Sequence, residues 1–206
     1  MGRKAGQGEG AATKERILRI AAQLFAAQGF HATGLADLEK ATGLGRGALY
    51  YHITSKEELL FEITSRYLRI LITEGTPLLE QPLGAEAKLR AFSHLVMRTL
   101  VEHLPEMTVC FREVYSVIGE RKTQLLDLHR DYERIWAQIL EQGVEQGVFN
   151  DAGFLAVKSI LGLHHYSYLW IRPDKGLSAE QTADYFCDLF MGGVQQRGAT
   201  SCKPQA

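Results

Sequence analysis

Residues 33–60 constrain the fold more than any other stretch. They read Thr33-Gly34-Leu35-Ala36-Asp37-Leu38-Glu39-Lys40-Ala41-Thr42-Gly43-Leu44-Gly45-Arg46-Gly47-Ala48-Leu49-Tyr50-Tyr51-His52-Ile53-Thr54-Ser55-Lys56-Glu57-Glu58-Leu59-Leu60. Leu35 and Leu38 recur at helical spacing, with Thr33 placed to cap the helix and Gly43 to close it. After the turn at Gly43-Leu44-Gly45, a second short helix over about Arg46 to His52 points Leu49 inward. Ser55 and Glu58 then form a capping box that opens a third helix. Two short helices joined this tightly leave one of them with a bare outer face carrying Arg46, Tyr50 and Tyr51. A rigidly held short helix of that kind fits a DNA major groove, and its donors suit phosphates.

The rest of the composition points the same way. A chain of 206 residues can build one or two domains with a sizeable core, and 46% hydrophobic with 23% charged residues is ordinary for a soluble protein. Five prolines and few strand-like alternations favour an all-α fold. No apolar run approaches the ~18 residues of a membrane span. The first residues carry charge with no apolar segment behind them, so they read as a flexible arm (1–11) rather than a signal peptide. Cys110, Cys187 and Cys202 lack metal spacing and suggest a reducing, cytoplasmic setting. The first two fit helix packing, and Cys202 falls in an expected tail, 198–206. Residues 1–56 hold eight Lys/Arg against four Asp/Glu, a balance of +4, whereas the remainder holds fifteen against twenty, or −5. A basic end on an acidic body suits contact with a polyanion through one module only.

Nine helices are expected. Ile17, Ala21, Leu24, Phe25 and Gln28 mark the first, from about Ala12 to Gln28, with Thr13 as its cap and Gly29 as its end. The helix opened by Ser55 carries Leu59, Leu60, Ile63, Tyr67, Ile70 and Leu71. Leu89, Phe92, Val96, Leu100 and Leu104 line another that stops near Pro105. A shorter one runs from Val109 to Ile118, and a longer one through Leu125, Tyr132, Trp136 and Ile139 ends around Gly143 to Gly147. The stretch from about Asp151 to Ile171 is apolar nearly all round, which requires burial on every side and points to a subunit interface. The last helix, about Ala179 to Gln195, is capped by Ser178 with Gln181 three residues on.

The ordered set Ile17-Leu18, Ala21-Ala22-Gln23-Leu24-Phe25, Gly29-Phe30, Thr33, Gly43-Leu44, Gly47-Ala48-Leu49-Tyr50-Tyr51-His52 and Ser55-Lys56-Glu57-Glu58-Leu59 resembles the TetR family of transcriptional regulators. The resemblance implies a homodimeric all-α repressor with a helix-turn-helix domain (12–58) and a ligand-binding and dimerisation domain (59–197). By the same resemblance, Thr33, Tyr50, His52 and Lys56 match phosphate-contacting positions, and Gly45, Arg46, Gly47 and Tyr51 match groove-facing ones. Two departures bear on operator preference: Gly45 stands where Ser or Thr is frequent, and Glu39 where a small residue is common. The last two helices match a four-helix dimer interface, with Phe154, Val157, Leu161, Tyr166, Tyr185, Phe186, Leu189 and Phe190 as its expected members.

The stretch Leu169-Trp170-Ile171-Arg172-Pro173, followed by Leu177-Ser178-Ala179-Glu180-Gln181, is similar to the subgroup that senses acyl-CoA thioesters. An apolar tunnel with arginines for phosphates would suit such an effector. Phe92, Val96, Phe111, Arg112, Arg130, Arg134, Trp136, His164, Tyr168 and Arg172 are the candidates for it.

Other readings stand beside these. Arg46 could bond bidentately to a guanine edge or simply meet a phosphate. A metal- or drug-responsive regulator of the same fold is the alternative for the effector. His164 and His165, however, point about 100° apart on a helix and cannot readily share an ion. No phosphate loop, nucleophile elbow or triad spacing argues for an enzyme, and no cofactor is implied.

Overall fold

The computed structural model describes residues 3–151, 153–172 and 174–194. Among them are nine α-helices: α1 (Arg3–Gln28), α2 (Leu35–Thr42), α3 (Arg46–His52), α4 (Lys56–Gly75), α5 (Ala85–Glu102), α6 (Leu104–Glu113), α7 (Gly119–Glu145), α8 (Gly153–Tyr166) and α9 (Ala179–Val194). The all-α fold is the one expected. The expected tail 198–206, Cys202 and the Gln195 end of the last helix lie outside the described residues.

Several boundaries differ from the sequence reading, each for a local reason. α1 begins at Arg3, so part of the expected arm is helical and Thr13 lies inside the helix. Glycines at 6, 8 and 10 weaken a helix by roughly 1 kcal/mol each without forbidding it. Pro105 opens α6 rather than only stopping α5, because a proline in the first turn has no N–H to lose. α2 is capped one residue later than expected. Thr33 turns its hydroxyl back to the Gly29 carbonyl (2.8 Å), and the Asp37 carboxylate accepts from the Gly34 amide (2.8 Å). At the start of α4, Ser55 Oγ accepts from Glu58 N (3.0 Å), but the Glu58 carboxylate pairs with Arg121 instead of completing the box. The box at α9 is complete in both directions. α8 is shorter than expected, passing after Tyr166 into a 3-10 turn over Ser167–Leu169.

The chain divides into two compact units, residues 1–70 with 102–130 and residues 71–101 with 131–206. In the first, Ile17, Ala21, Phe25, Leu38, Leu49, Ile63 and Tyr67 form the core. Lys14–Glu62 (2.6 Å) and Arg66–Glu15 (2.5 Å) join α1 to α4 at its edge. Cys110 lies buried here, 3.3 Å from the Tyr67 hydroxyl, and burial pushes its thiol up to about 12. It packs rather than reacts.

The second unit is built around aromatic rings on α5, α7 and α8. Phe92 lies 4.6 Å from Trp136, and Trp136 lies 5.1 Å from His164. His164 is fully buried. Its Nδ1–H donates to the Ile160 carbonyl (2.8 Å), leaving Nε2 to accept from the Ser93 hydroxyl (2.6 Å). Burial holds the imidazole neutral, down to about 4. An unfolded histidine titrates near ~6.5. Between those values only the unfolded chain takes up the proton, so stability is full above ~6.5 and falls as pH drops towards 4. The loss amounts to roughly 3 kcal/mol. Urea unfolding at pH 7.5 and pH 4.5 is expected to show this loss in the wild type and a smaller one in His164→Gln.

Candidate nucleic-acid interface

The outward helix of the first unit is short because its neighbours define it. Gly43 ends α2 in the left-handed conformation (φ 70°, ψ 14°), its amide bonded to Glu39 O at 3.0 Å. A side chain there would be strained. Thr42 Oγ1 donates to Leu38 O (2.7 Å) and accepts from Leu44 N (3.4 Å), which fixes the turn. α3 then hangs from one anchor, Leu49, whose exposure is 0%, with Ile53 buried just beyond its end.

Everything else on α3 faces outward or sits at its rim. Arg46, Gly47, Ala48, Tyr50 and Tyr51 are exposed, Tyr51 to 83%, and His52 is half-buried. The Arg46 guanidinium carbon lies 5.9 Å from the Tyr50 ring centroid, and Tyr51 meets His52 edge to face at 5.0 Å. Arg46 has no hydrogen-bond or ion-pair partner among the described residues. Gly45 and Gly47 have open space where a Cβ would stand and no positive φ. Neither backbone nor packing requires glycine at these two positions, and Gly45 offers α3 no side-chain cap.

Two of the expected phosphate contacts occupy the supporting frame. Thr33 is fully buried. Lys56 Nζ donates to the carbonyls of Phe30 and Thr33, both at 3.0 Å, and stands 4.3 Å from the Phe30 ring centroid. Sequence reasoning missed this inward use of the lysine. Asp37 could have been found from its place three residues after Gly34, the same spacing that identifies a capping box.

Residues 17–63 match the bacterial regulatory proteins of the tetR family, and residues 82–194 match the tetracyclin repressor-like C-terminal domain. The chain belongs to the TetR family of transcriptional regulators. It is 28% identical over 184 residues to the HTH-type transcriptional repressor KstR2 of Rhodococcus jostii, covering 88% of this chain and 90% of that protein. The TetR-family regulator PfmR of Thermus thermophilus superposes with a TM-score of 0.80 at 35% identity, over 86% of this chain and 97% of that one. AibR, solved in complex with isovaleryl coenzyme A and operator DNA, shares the fold, with a TM-score of 0.76 at 23% identity over 86% of this chain and 97% of that one. The chain is thus a helix-turn-helix DNA-binding regulator, in a family of regulators rather than enzymes. No described helix is long and apolar enough to cross a membrane.

The effector candidates of this TetR-family chain separate into two groups. Phe92, Val96, Trp136 and His164 come together in the core of the second unit, with Tyr168 half-buried in the same unit. The indole N–H of Trp136 is buried there without a hydrogen bond of ordinary geometry. The arginines are dispersed and locally engaged. Arg112 donates to Ala26 O (3.2 Å), Arg130 pairs with Asp127, Arg134 pairs with Asp131 (2.7 Å), and Arg172 donates to Ile171 O (2.9 Å). Phe111 lies half-buried on α6, in the first unit. Among the described residues no three metal-ligating side chains gather.

The interface candidates also divide. Phe154, Tyr166, Tyr185 and Leu189 are exposed, and Leu155 and Trp170 join them. Val157, Leu161, Phe186 and Phe190 are buried within the second unit, where α8 packs on α9.

Proposed function

We propose that this protein is a homodimeric cytoplasmic repressor that reads a palindromic operator through α3 and releases it when a small apolar or amphipathic effector binds. The observation that carries the reading is the outer face of α3. It combines Arg46, which has no hydrogen bond or ion pair among the described residues, with two tyrosines and a glycine-bare first turn on a helix anchored from behind by Leu49. Gly45, Arg46, Gly47 and Tyr51 meet the groove, and Tyr50 and His52 meet the backbone beside it. Thr33 and Lys56 serve from behind, holding the turn from which the helix-turn-helix is suspended.

The effector reading rests on the second unit. A largely aromatic cluster, in which the Trp136 indole N–H meets only the side chain of Tyr132, is suited to an apolar, chain-like ligand. The acyl-CoA class is supported by AibR, solved with isovaleryl coenzyme A; the ketosteroid transcriptional regulator KstR2 of Mycobacterium tuberculosis supports only the broader reading of an apolar effector. Binding acts by population shift: the liganded dimer favours a spacing of its two α3 helices that no longer matches half-sites one turn (~34 Å) apart.

A thermal-shift series with acyl-CoA thioesters of graded chain length, free acids, drugs and metal salts tests the effector class. A ligand present at ~100 times its Kd adds about 2.7 kcal/mol to stability. We expect a clear upward shift with a CoA thioester, reduced in Trp136→Phe. A shift with none of the thioesters but with a metal salt or a drug would overturn the acyl-CoA assignment.

A further inference from the structure

Phe30, in the turn between α1 and α2, has both of its backbone polar groups taken by charged side chains from distant parts of the chain. Its N–H donates to Glu113 Oε1 on α6 (3.0 Å), 83 residues away, and its carbonyl accepts from Lys56 Nζ on α4 (3.0 Å). The ring is buried and packs edge to face on Phe25 at 5.3 Å. Glu113 is itself held: Oε2 accepts from the Ser116 hydroxyl (2.9 Å). That hydroxyl has spent its one proton, so His31 Nε2–H donates to Ser116 Oγ (3.0 Å). Arg112, one residue before Glu113, donates to Ala26 O near the end of α1. The end of α6 thus grips the α1–α2 turn through a carboxylate whose two oxygens are both committed, and charge-assisted bonds of this kind are the stronger ones.

A turn needs no such arrangement merely to form, since an amide at this point could be satisfied by water or a local carbonyl. Using a side chain of α6 fixes the direction in which α2 and α3 leave the rest of their unit. We propose that Glu113 is a positioning residue for DNA recognition. It sets the angle at which α3 is presented, and so decides whether the two α3 helices of a dimer fit paired half-sites together. Resting on the repressor reading above, this inference adds one named side chain through which operator fit is controlled.

A single half-site demands only an intact α3, whereas a palindrome also demands the correct angle of both. The test therefore compares full and half duplexes, using a palindrome selected by the wild-type protein from a randomised pool. Glu113→Ala is expected to lose about tenfold in affinity for the full palindrome, about 1.4 kcal/mol at 25 °C, and to bind the half-site within about twofold of wild type. Glu113→Gln keeps an acceptor for Phe30 N–H and should recover most of the loss. Should Glu113→Ala not fold, Ser116→Ala supports the carboxylate less without orphaning an amide, and should show the same selective loss in smaller measure. Equal weakening on full and half sites, or no weakening on either, would overturn the positioning role. If the wild type enriched no duplex at all, the repressor reading itself would fall.

Discussion

Replacing Arg46 by alanine is expected to leave the fold intact and to remove most of the preference for operator over unrelated duplex. The side chain is exposed and makes no hydrogen bond within the described chain, so folding loses only its contact with the Tyr50 ring. Its neighbours Gly45, Gly47 and Ala48 carry no side-chain hydrogen-bonding group for a base edge. A bidentate arginine–guanine pair discriminates by ~1–3 kcal/mol per half-site, and a dimer makes it twice. Fluorescence anisotropy with a labelled operator and with a scrambled duplex of equal length measures the two affinities. We expect operator affinity to fall at least about tenfold and the scrambled duplex to change much less. A uniform loss on both duplexes, with the salt slope reduced by about two (one for each protomer's arginine), would show that Arg46 meets a phosphate instead.

The second large effect concerns the exposed apolar face of α8 and α9. Phe154 is 71% and Leu189 56% exposed, and Tyr166 and Tyr185 are similarly bare. Isolated apolar side chains on a surface are normal, but a set this large on two packed helices is what the proposed dimer would bury. Phe154→Asp with Leu189→Asp should cost the unit little, because neither side chain is buried within it. In an interface each carboxylate would be desolvated against its symmetry mate. Sedimentation is expected to show a monomer, and operator affinity is expected to drop by about 10²-fold or more as binding at two linked half-sites becomes binding at one. A double variant that remains dimeric would place the interface elsewhere.

The legibility of this chain follows the range of the forces involved. Gly43, Leu49, the Ser178–Gln181 box and the order of nine helices were readable because each depends on residues a few positions apart. Pro105 was ambiguous in principle, since a proline can end one helix and begin the next. The Glu58 carboxylate broke its expected pattern because a distant arginine, Arg121, offered a better partner than the local amide. Lys56 read as a phosphate contact by resemblance, and only the folded chain shows two carbonyls within its reach. Glu113 had no local signature at all, because the amide it satisfies is 83 residues away. Likewise, half of the apolar residues expected at the dimer face prove to be core. Periodicity on a helix that is apolar all round gives no sign of which side meets its own unit and which meets a partner.

Binding of a selected palindromic duplex across a range of salt concentrations tests the central claim most directly. The account predicts enrichment of a two-fold symmetric sequence with half-sites about one turn apart and protection of both major grooves. It also predicts an affinity that falls steeply and log-linearly with salt as phosphate counterions are released. Failure to enrich any sequence, or an affinity indifferent to both salt and sequence, would contradict it.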